Sequence, residues 1–123
     1  MANNSHKVLI VDDSAMARKM MKRAVAGLLP QAEISEATEA KSGLHKWTEL
    51  RPDVSIFDLN MPGQSGLELA EKVLAENASA KIVLCTANVQ QATQDKAREM
   101  GIGFVAKPVN AEKLQAVLDL ETA

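Results

Sequence analysis

Val8-Leu9-Ile10-Val11-Asp12-Asp13-Ser14, residues 8–14, changes character abruptly at its centre. Its first four side chains are all apolar and mostly β-branched, with no polar alternate. A strand with one wet face alternates, so an unbroken run of this kind fits a strand covered on both faces. The two aspartates stop the run. Ser14 then stands where it can cap a helix whose apolar stripe is Met16, Met20, Ala24 and Leu28, with Pro30 on its far side. A doubly covered strand running straight into a helix is the opening unit of a parallel sheet with crossover helices.

The unit recurs along the chain. Residues 33–37 form a weaker second strand, and Leu44, Trp47 and Leu50 mark one side of a helix that ends before Pro52. Residues 54–57 are a third strand leading into Asp58 and the loop Asn60-Met61-Pro62-Gly63. Ser65 and Glu68 have the spacing of a capping box, with Leu67, Ala70 and Leu74 on the helix behind them. Residues 81–85 form a fourth strand with Thr86 at its end, and residues 90–100 a thinly apolar helix ended by Gly101. Residues 102–105 are a fifth strand followed by Lys107-Pro108, and Asn110 caps a last helix carrying Leu114, Val117 and Leu118. Five strands alternating with five helices predict an α/β, doubly wound parallel sheet. Right-handed crossovers would place every strand's C-terminal end on one edge.

A chain of 123 residues suits one domain, 1–123, with a core from about 7 to 120. Apolar residues make up 46% and charged ones 24%, as in ordinary globular proteins. A formal net charge of -2 does not call for nucleic acid. The basic cluster Arg18, Lys19, Lys22 and Arg23 is explained about as well by a solvated helix side as by a docking patch. No stretch approaches the ~18–20 apolar residues of a membrane span. Residues 1–7 are polar and short, without the apolar core of a signal peptide, and a cytoplasmic location is the simple inference. Cys85, the only cysteine, reads as an inert strand residue. The methionines at 16, 20 and 21 read as soft core filling, as does Phe57. His6 and His45 have no cysteine or second histidine nearby, which argues against zinc. Gly63 and Gly66 read as turn and helix-entry residues, not as a phosphate-cradling loop.

The polar residues of interest all fall at strand ends: Asp12 and Asp13 after the first, Asp58 after the third, Thr86 after the fourth, Lys107 after the fifth. In an open parallel sheet the binding crevice lies outside these ends. Three close carboxylates repel one another unless a cation or protons intervene, and hard oxygen ligands favour Mg²⁺. A phosphoryl group arriving at Asp58 would add negative charge that a metal and the Lys107 ammonium could offset. The Thr86 hydroxyl could donate to a phosphoryl oxygen, and Asp58 could itself be the nucleophile.

Val-Asp-Asp-Ser at 11–14, Asp-Leu-Asn-Met-Pro-Gly at 58–63, Thr86-Ala87, and Phe-Val-Ala-Lys-Pro at 104–108 follow their strands in order. Together they resemble the receiver domain of two-component response regulators, especially the stand-alone chemotaxis type. The resemblance implies a flavodoxin-like sheet of order 2-1-3-4-5 and a Lys107-Pro108 bond that is cis. It implies that Asp58 accepts a phosphoryl group from a phosphohistidine on a kinase or phosphotransfer protein. Asp13, Asp58 and the backbone carbonyl of Asn60 would be direct ligands of Mg²⁺, or Mn²⁺, with Asp12 acting largely through a metal-bound water. Lys107 would contact the phosphate. Thr86 and Phe104 would be the switch pair, altering the face made by helix four, strand five and helix five. Asn60 and Asn88 stand at positions that tune phosphoryl lifetime. Phe104 departs from the tyrosine common in chemotaxis relatives, so any partner bond to that hydroxyl is absent.

The implied output partner is the flagellar motor switch or another signalling protein, with a phosphatase as a further partner. The alternative is the receiver of a longer regulator with a separate output domain. Catalysis would be limited to self-phosphorylation and autodephosphorylation, with no separate metabolic substrate. Against a phosphatase with an aspartyl intermediate stand the short loops and the lack of a lid. Against a scaffold that has lost switching stands the intact set of polar residues.

Overall fold

The computed structural model describes residues 6–61 and 63–118; residues 1–5, Pro62, residues 119–123 (Leu120 among them) and the side chain of Leu118 lie outside the described residues. Strands and helices alternate strictly: β1 (Lys7–Val11), α1 (Ala15–Leu28), β2 (Glu33–Ala37), α2 (Ala40–Leu50), β3 (Val54–Asp58), α3 (Gly66–Glu76), β4 (Ile82–Thr86), α4 (Gln91–Met100), β5 (Gly103–Ala106) and α5 (Ala111–Leu118). All strand pairs are parallel, in the order β2-β1-β3-β4-β5. The flavodoxin-like order implied by the resemblance is therefore the one observed.

Side-chain alternation along the strands builds two cores. Val8, Ile10, Ile56, Val83, Cys85 and Val105 face Met21, Ala24 and Val25 of α1 and Leu114 of α5. Leu9, Val11, Phe57 and Leu84 face Trp47 of α2, Leu69, Ala70 and Val73 of α3, and Ala97 of α4. Trp47 packs as expected, and the Arg51 guanidinium lies 4.6 Å from its ring centroid. Among the described residues, no helix is long and apolar enough to cross a membrane.

Two expectations for the helices need correction. Met16 and Met20 are 68% and 40% exposed, whereas Met21 is 1% exposed. The core face of α1 runs one residue further on, through Ala17, Met21, Ala24, Val25 and Leu28. Both stripes have helical spacing, and the packing of α1 on the sheet and α5 buries the one with Met21. In α3 the buried line is Leu69, Ala70 and Val73, with Leu67 and Leu74 at its margins. The expected caps are present. Ser14 accepts from the N–H of Ala17, Ser65 and Glu68 form a reciprocal capping box, and Asn110 accepts from the N–H of Lys113 at 2.8 Å.

Ser55 is an exception within β3, because its hydroxyl is buried without a hydrogen-bond partner among the described residues. A buried, unpaired polar group costs about 1–3 kcal/mol in desolvation. Ser55→Ala is therefore expected to leave stability unchanged or to raise it by up to about 1 kcal/mol. A clear drop in the urea midpoint would show that the hydroxyl has a partner after all.

Candidate functional site

The strand ends bring the polar residues together through backbone hydrogen bonds to neighbouring strands. The N–H of Asp12 donates to Ala37 O at 3.1 Å, that of Leu59 to Cys85 O at 2.8 Å, and that of Lys107 to Thr86 O at 2.8 Å. Asp58 and Thr86 are the last residues of β3 and β4 rather than the first residues beyond them. Asp58 pairs in register with Cys85, and Thr86 with Ala106. Order in the sheet reverses between β1 and β3, so Asp12 and Asp58 flank the crevice where such folds bind ligands.

At the centre, the Lys107 ammonium stands 2.9 Å from Asp12 Oδ2 and 3.1 Å from Asp58 Oδ1. It is the cation that keeps two buried carboxylates adjacent. Burial pushes the Asp58 carboxyl above the usual range, and the Asp12 charge adds to this; the bond from Lys107 opposes it without cancelling it. Burial also works against the charge on Lys107, but the close carboxylates of Asp12 and Asp58 outweigh that and hold the ammonium above its usual range. Cys85 lies below, with its thiol pushed up by burial, and donates to Phe57 O.

The raised Asp58 carboxyl has a consequence for stability. A folded-state value above the unfolded 3.8 means that the ionised group destabilises the fold once pH exceeds the folded value. In chelator-treated protein, Asp58→Asn is thus expected to be more stable than the parent at neutral pH. The difference should shrink as pH falls from the folded value toward 3.8. Urea unfolding across that window checks it, and a variant less stable throughout would contradict it.

The other expected site residues are arranged around this centre. Asp13 is exposed and is not among the described residues whose ligand atoms cluster here. The Ser14 N–H donates to Asp12 Oδ1 at 2.8 Å, which ties that oxygen to the start of α1 and leaves Oδ2 facing Lys107. Thr86 is fully buried and accepts from Asn60 Nδ2 at 3.2 Å and from the Asn88 N–H at 3.2 Å. Phe104 is half-buried and lines a groove with Val89, Gln94, Ala97, Arg98 and Ile102, on the side of the sheet that carries α4. The Lys107-Pro108 bond is cis.

The donor set fits a hard divalent cation. Among the described residues, Asp12, Asp58 and Cys85 bring ligand atoms within 4.8 Å of one another. Asp12 Oδ2 has no directed hydrogen bond despite the nearby ammonium, so it keeps acceptor capacity. Two carboxylates beside a thiol that holds its proton favour Mg²⁺ or Mn²⁺ over softer metals.

Comparison with known proteins agrees with this geometry. The model for the response regulator receiver domain matches residues 8–119. The chain belongs to the response regulator receiver domain family. This receiver is 33% identical over 117 residues to the chemotaxis protein CheY of Listeria monocytogenes, covering 92% of the chain and 95% of that protein. It is 33% identical to the positive alginate biosynthesis regulatory protein of Pseudomonas aeruginosa, covering 90% of the chain but 45% of that longer protein. Among solved structures, chemotaxis protein CheY4 of Vibrio cholerae superimposes with a TM-score of 0.80 at 29% identity, covering 91% of the receiver and 94% of that chain. The receiver is thus a CheY-like domain of two-component signalling, a family that typically binds Mg²⁺ and interacts with histidine kinases or phosphotransfer proteins.

Two contributors to the receiver's site escape a reading by motif. Arg18 donates from one guanidinium nitrogen to Asp12 O at 2.8 Å and from Nε to Glu36 at 2.8 Å. It ties the acidic loop to β2. Lys22 completes the cluster 2.9 Å from Glu36, and the bonds from Lys22 and Arg18 hold the Glu36 carboxyl below the usual range. Half of the basic cluster is therefore internal bracing. Gly66 is the second contributor: a Cβ there would lie 2.2 Å from the Asp58 backbone oxygen. The capping box could have signalled this, since it places a glycine in the first turn of a helix, where any other residue is more helix-favouring.

Proposed function

We propose that this receiver is a phosphorylation-controlled switch in which Asp58 accepts a phosphoryl group from a phosphohistidine donor. The observation that carries this reading is the Lys107 ammonium held between the buried carboxylates of Asp12 and Asp58 at the crevice of the sheet. An Asp58 oxygen attacks phosphorus, the P–N bond breaks, and its electron pair stays on the donor imidazole. Asp12, Asp13, Asp58 and the backbone carbonyl of Asn60 would hold the divalent cation. Its chemistry is to offset charge on the phosphoryl oxygens. Lys107 contributes a second positive charge that is already in position and needs no reorganisation. Thr86 donates a hydrogen bond from its hydroxyl to a phosphoryl oxygen, and Phe104 follows it, altering the face of α4, β5 and α5. Asn60 and Asn88 tune the lifetime of the acyl phosphate.

The similarity to a chemotaxis protein supports a stand-alone regulator whose output partner is the flagellar motor switch or another signalling protein. The similarity to part of a longer regulator supports a second reading, a receiver coupled to an output domain.

Incubation with Mg²⁺ and acetyl phosphate, followed by intact mass spectrometry, tests the chemistry. One phosphoryl group is expected on the parent and none on Asp58→Asn or on the parent with chelator. Modification that persists in Asp58→Asn would remove the acceptor assignment, and an unmodified parent would remove the switch.

A further inference from the structure

The Thr86 hydroxyl oxygen has two acceptor lone pairs, and both are engaged. Asn60 Nδ2 donates to it from the loop after β3, and the Asn88 N–H donates from the loop after β4, each at 3.2 Å. Thr86 itself is fully buried, whereas Asn60 is exposed. An exposed carboxamide has no need of a buried hydroxyl, because water can satisfy it. A buried hydroxyl has few other donors. The bond therefore constrains Thr86 more than it does Asn60.

We propose that Asn60 is a positioning residue: its carboxamide latches the Thr86 hydroxyl to the β3–α3 loop in the resting receiver and opposes the movement of that hydroxyl toward Asp58. The inference rests on the phosphoryl switch proposed above and deepens it. Lifetime tuning concerns the rate at which an acyl phosphate is hydrolysed. The latch concerns the equilibrium between resting and active forms, and it acts before any phosphoryl group arrives. Removing it leaves Thr86 with one hydrogen bond from Asn88 and makes the active arrangement easier to reach.

The test uses Asn60→Ala and two measurements. The first needs neither phosphate nor metal: three-bond couplings to the Thr86 methyl carbon report its χ1 populations. One rotamer is expected to dominate in the parent, with averaging in Asn60→Ala. The second is the affinity for beryllofluoride in the presence of Mg²⁺. Asn60→Ala is expected to bind about two- to tenfold more tightly, as fits the loss of one hydrogen bond from the resting form. In a Thr86→Val background the same Asn60 substitution should have no effect on affinity, which separates action through the hydroxyl from action on the metal or the mimic.

Unchanged Thr86 rotamers in Asn60→Ala would overturn the latch. So would averaged rotamers with unchanged or weaker affinity, or an affinity gain that persists with Thr86→Val. If the parent fails to bind beryllofluoride at all, the Asp58 reading falls, while the couplings still decide whether Asn60 holds the hydroxyl.

Discussion

Gly66→Ala is expected to destroy phosphoryl uptake at Asp58 and to destabilise the receiver by about 3 kcal/mol or more, the upper end of overpacking costs. Local propensity points the other way, since alanine in a helix is favoured over glycine by roughly 0.5–1 kcal/mol. The contact decides the sign. A Cβ at this position would lie 2.2 Å from the carbonyl oxygen of Asp58 and 2.9 Å from its carbonyl carbon. Both atoms belong to backbone at the end of a central strand, so no flexible side chain can swing aside. Relief requires moving α3 or the end of β3, and the Gly66 N–H bond to Leu59 O at 2.9 Å holds those two together. The acceptor carboxylate would shift relative to Lys107, and in-line transfer tolerates little misplacement. Urea unfolding and acetyl phosphate labelling read the two effects separately. A Gly66→Ala protein of parental stability that labels at the parental rate would refute the argument.

Lys107→Met is expected to lower the rate of acyl phosphate formation by about a hundred- to a thousandfold, as when one pre-organised charge-stabilising group is removed. The shape of the side chain is roughly kept while the charge is lost. Asp12 and Asp58 then face each other without the ammonium that stands 2.9 and 3.1 Å from them. Breaking a buried ion pair from one side costs about 3–5 kcal/mol when the remaining charge cannot escape. Here it can, because Asp58 can take a proton. In chelator-treated variant the Asp58 carboxyl should therefore rise further above its already raised position. The loss of stability should be largest above the folded value of Asp58 and should fade as pH drops below it. Carbon NMR of the Asp58 carboxyl follows the titration. A lower value in Lys107→Met than in the parent would contradict the assignment of Lys107 as the compensating charge.

Much of this site was legible because strand ends are easy to locate when apolar runs stop at charged residues. Val8 to Val11 stopping at Asp12, and Phe57 running into Asp58, place both carboxylates on one edge once the strands are taken as parallel. The caps were legible for a similar reason, since Ser14, Ser65 and Asn110 act on backbone only a few residues away. What stayed hidden depends on distances between elements. The Met16–Met20 stripe does not hold because Met20 and Met21 are neighbours with equal claim by spacing, and only the packing of α1 on the sheet and α5 selects the second. The pairing of Arg18 with both Asp12 O and Glu36 needs the register of β1 with β2. The approach of Gly66 to Asp58 shows in the sequence only as a glycine where the capping box starts a helix, and the bond from Asn60 to Thr86 is loop geometry that residue spacing does not encode.

Cys85 offers a further use. Its sulfur is fully enclosed between the sheet and the helices α1 and α5, bonded to Phe57 O and seated beneath the two carboxylates. No other thiol exists in the chain. A thiol-reactive dye therefore has a single target, reached only when the helices on that face, α1 and α5, separate from the sheet. With dye in excess, colour develops at the frequency of that separation, so the middle of the sheet carries its own stopwatch. Run with and without occupancy of the pocket above, it would time how firmly binding at the sheet's edge holds these helices on the sheet.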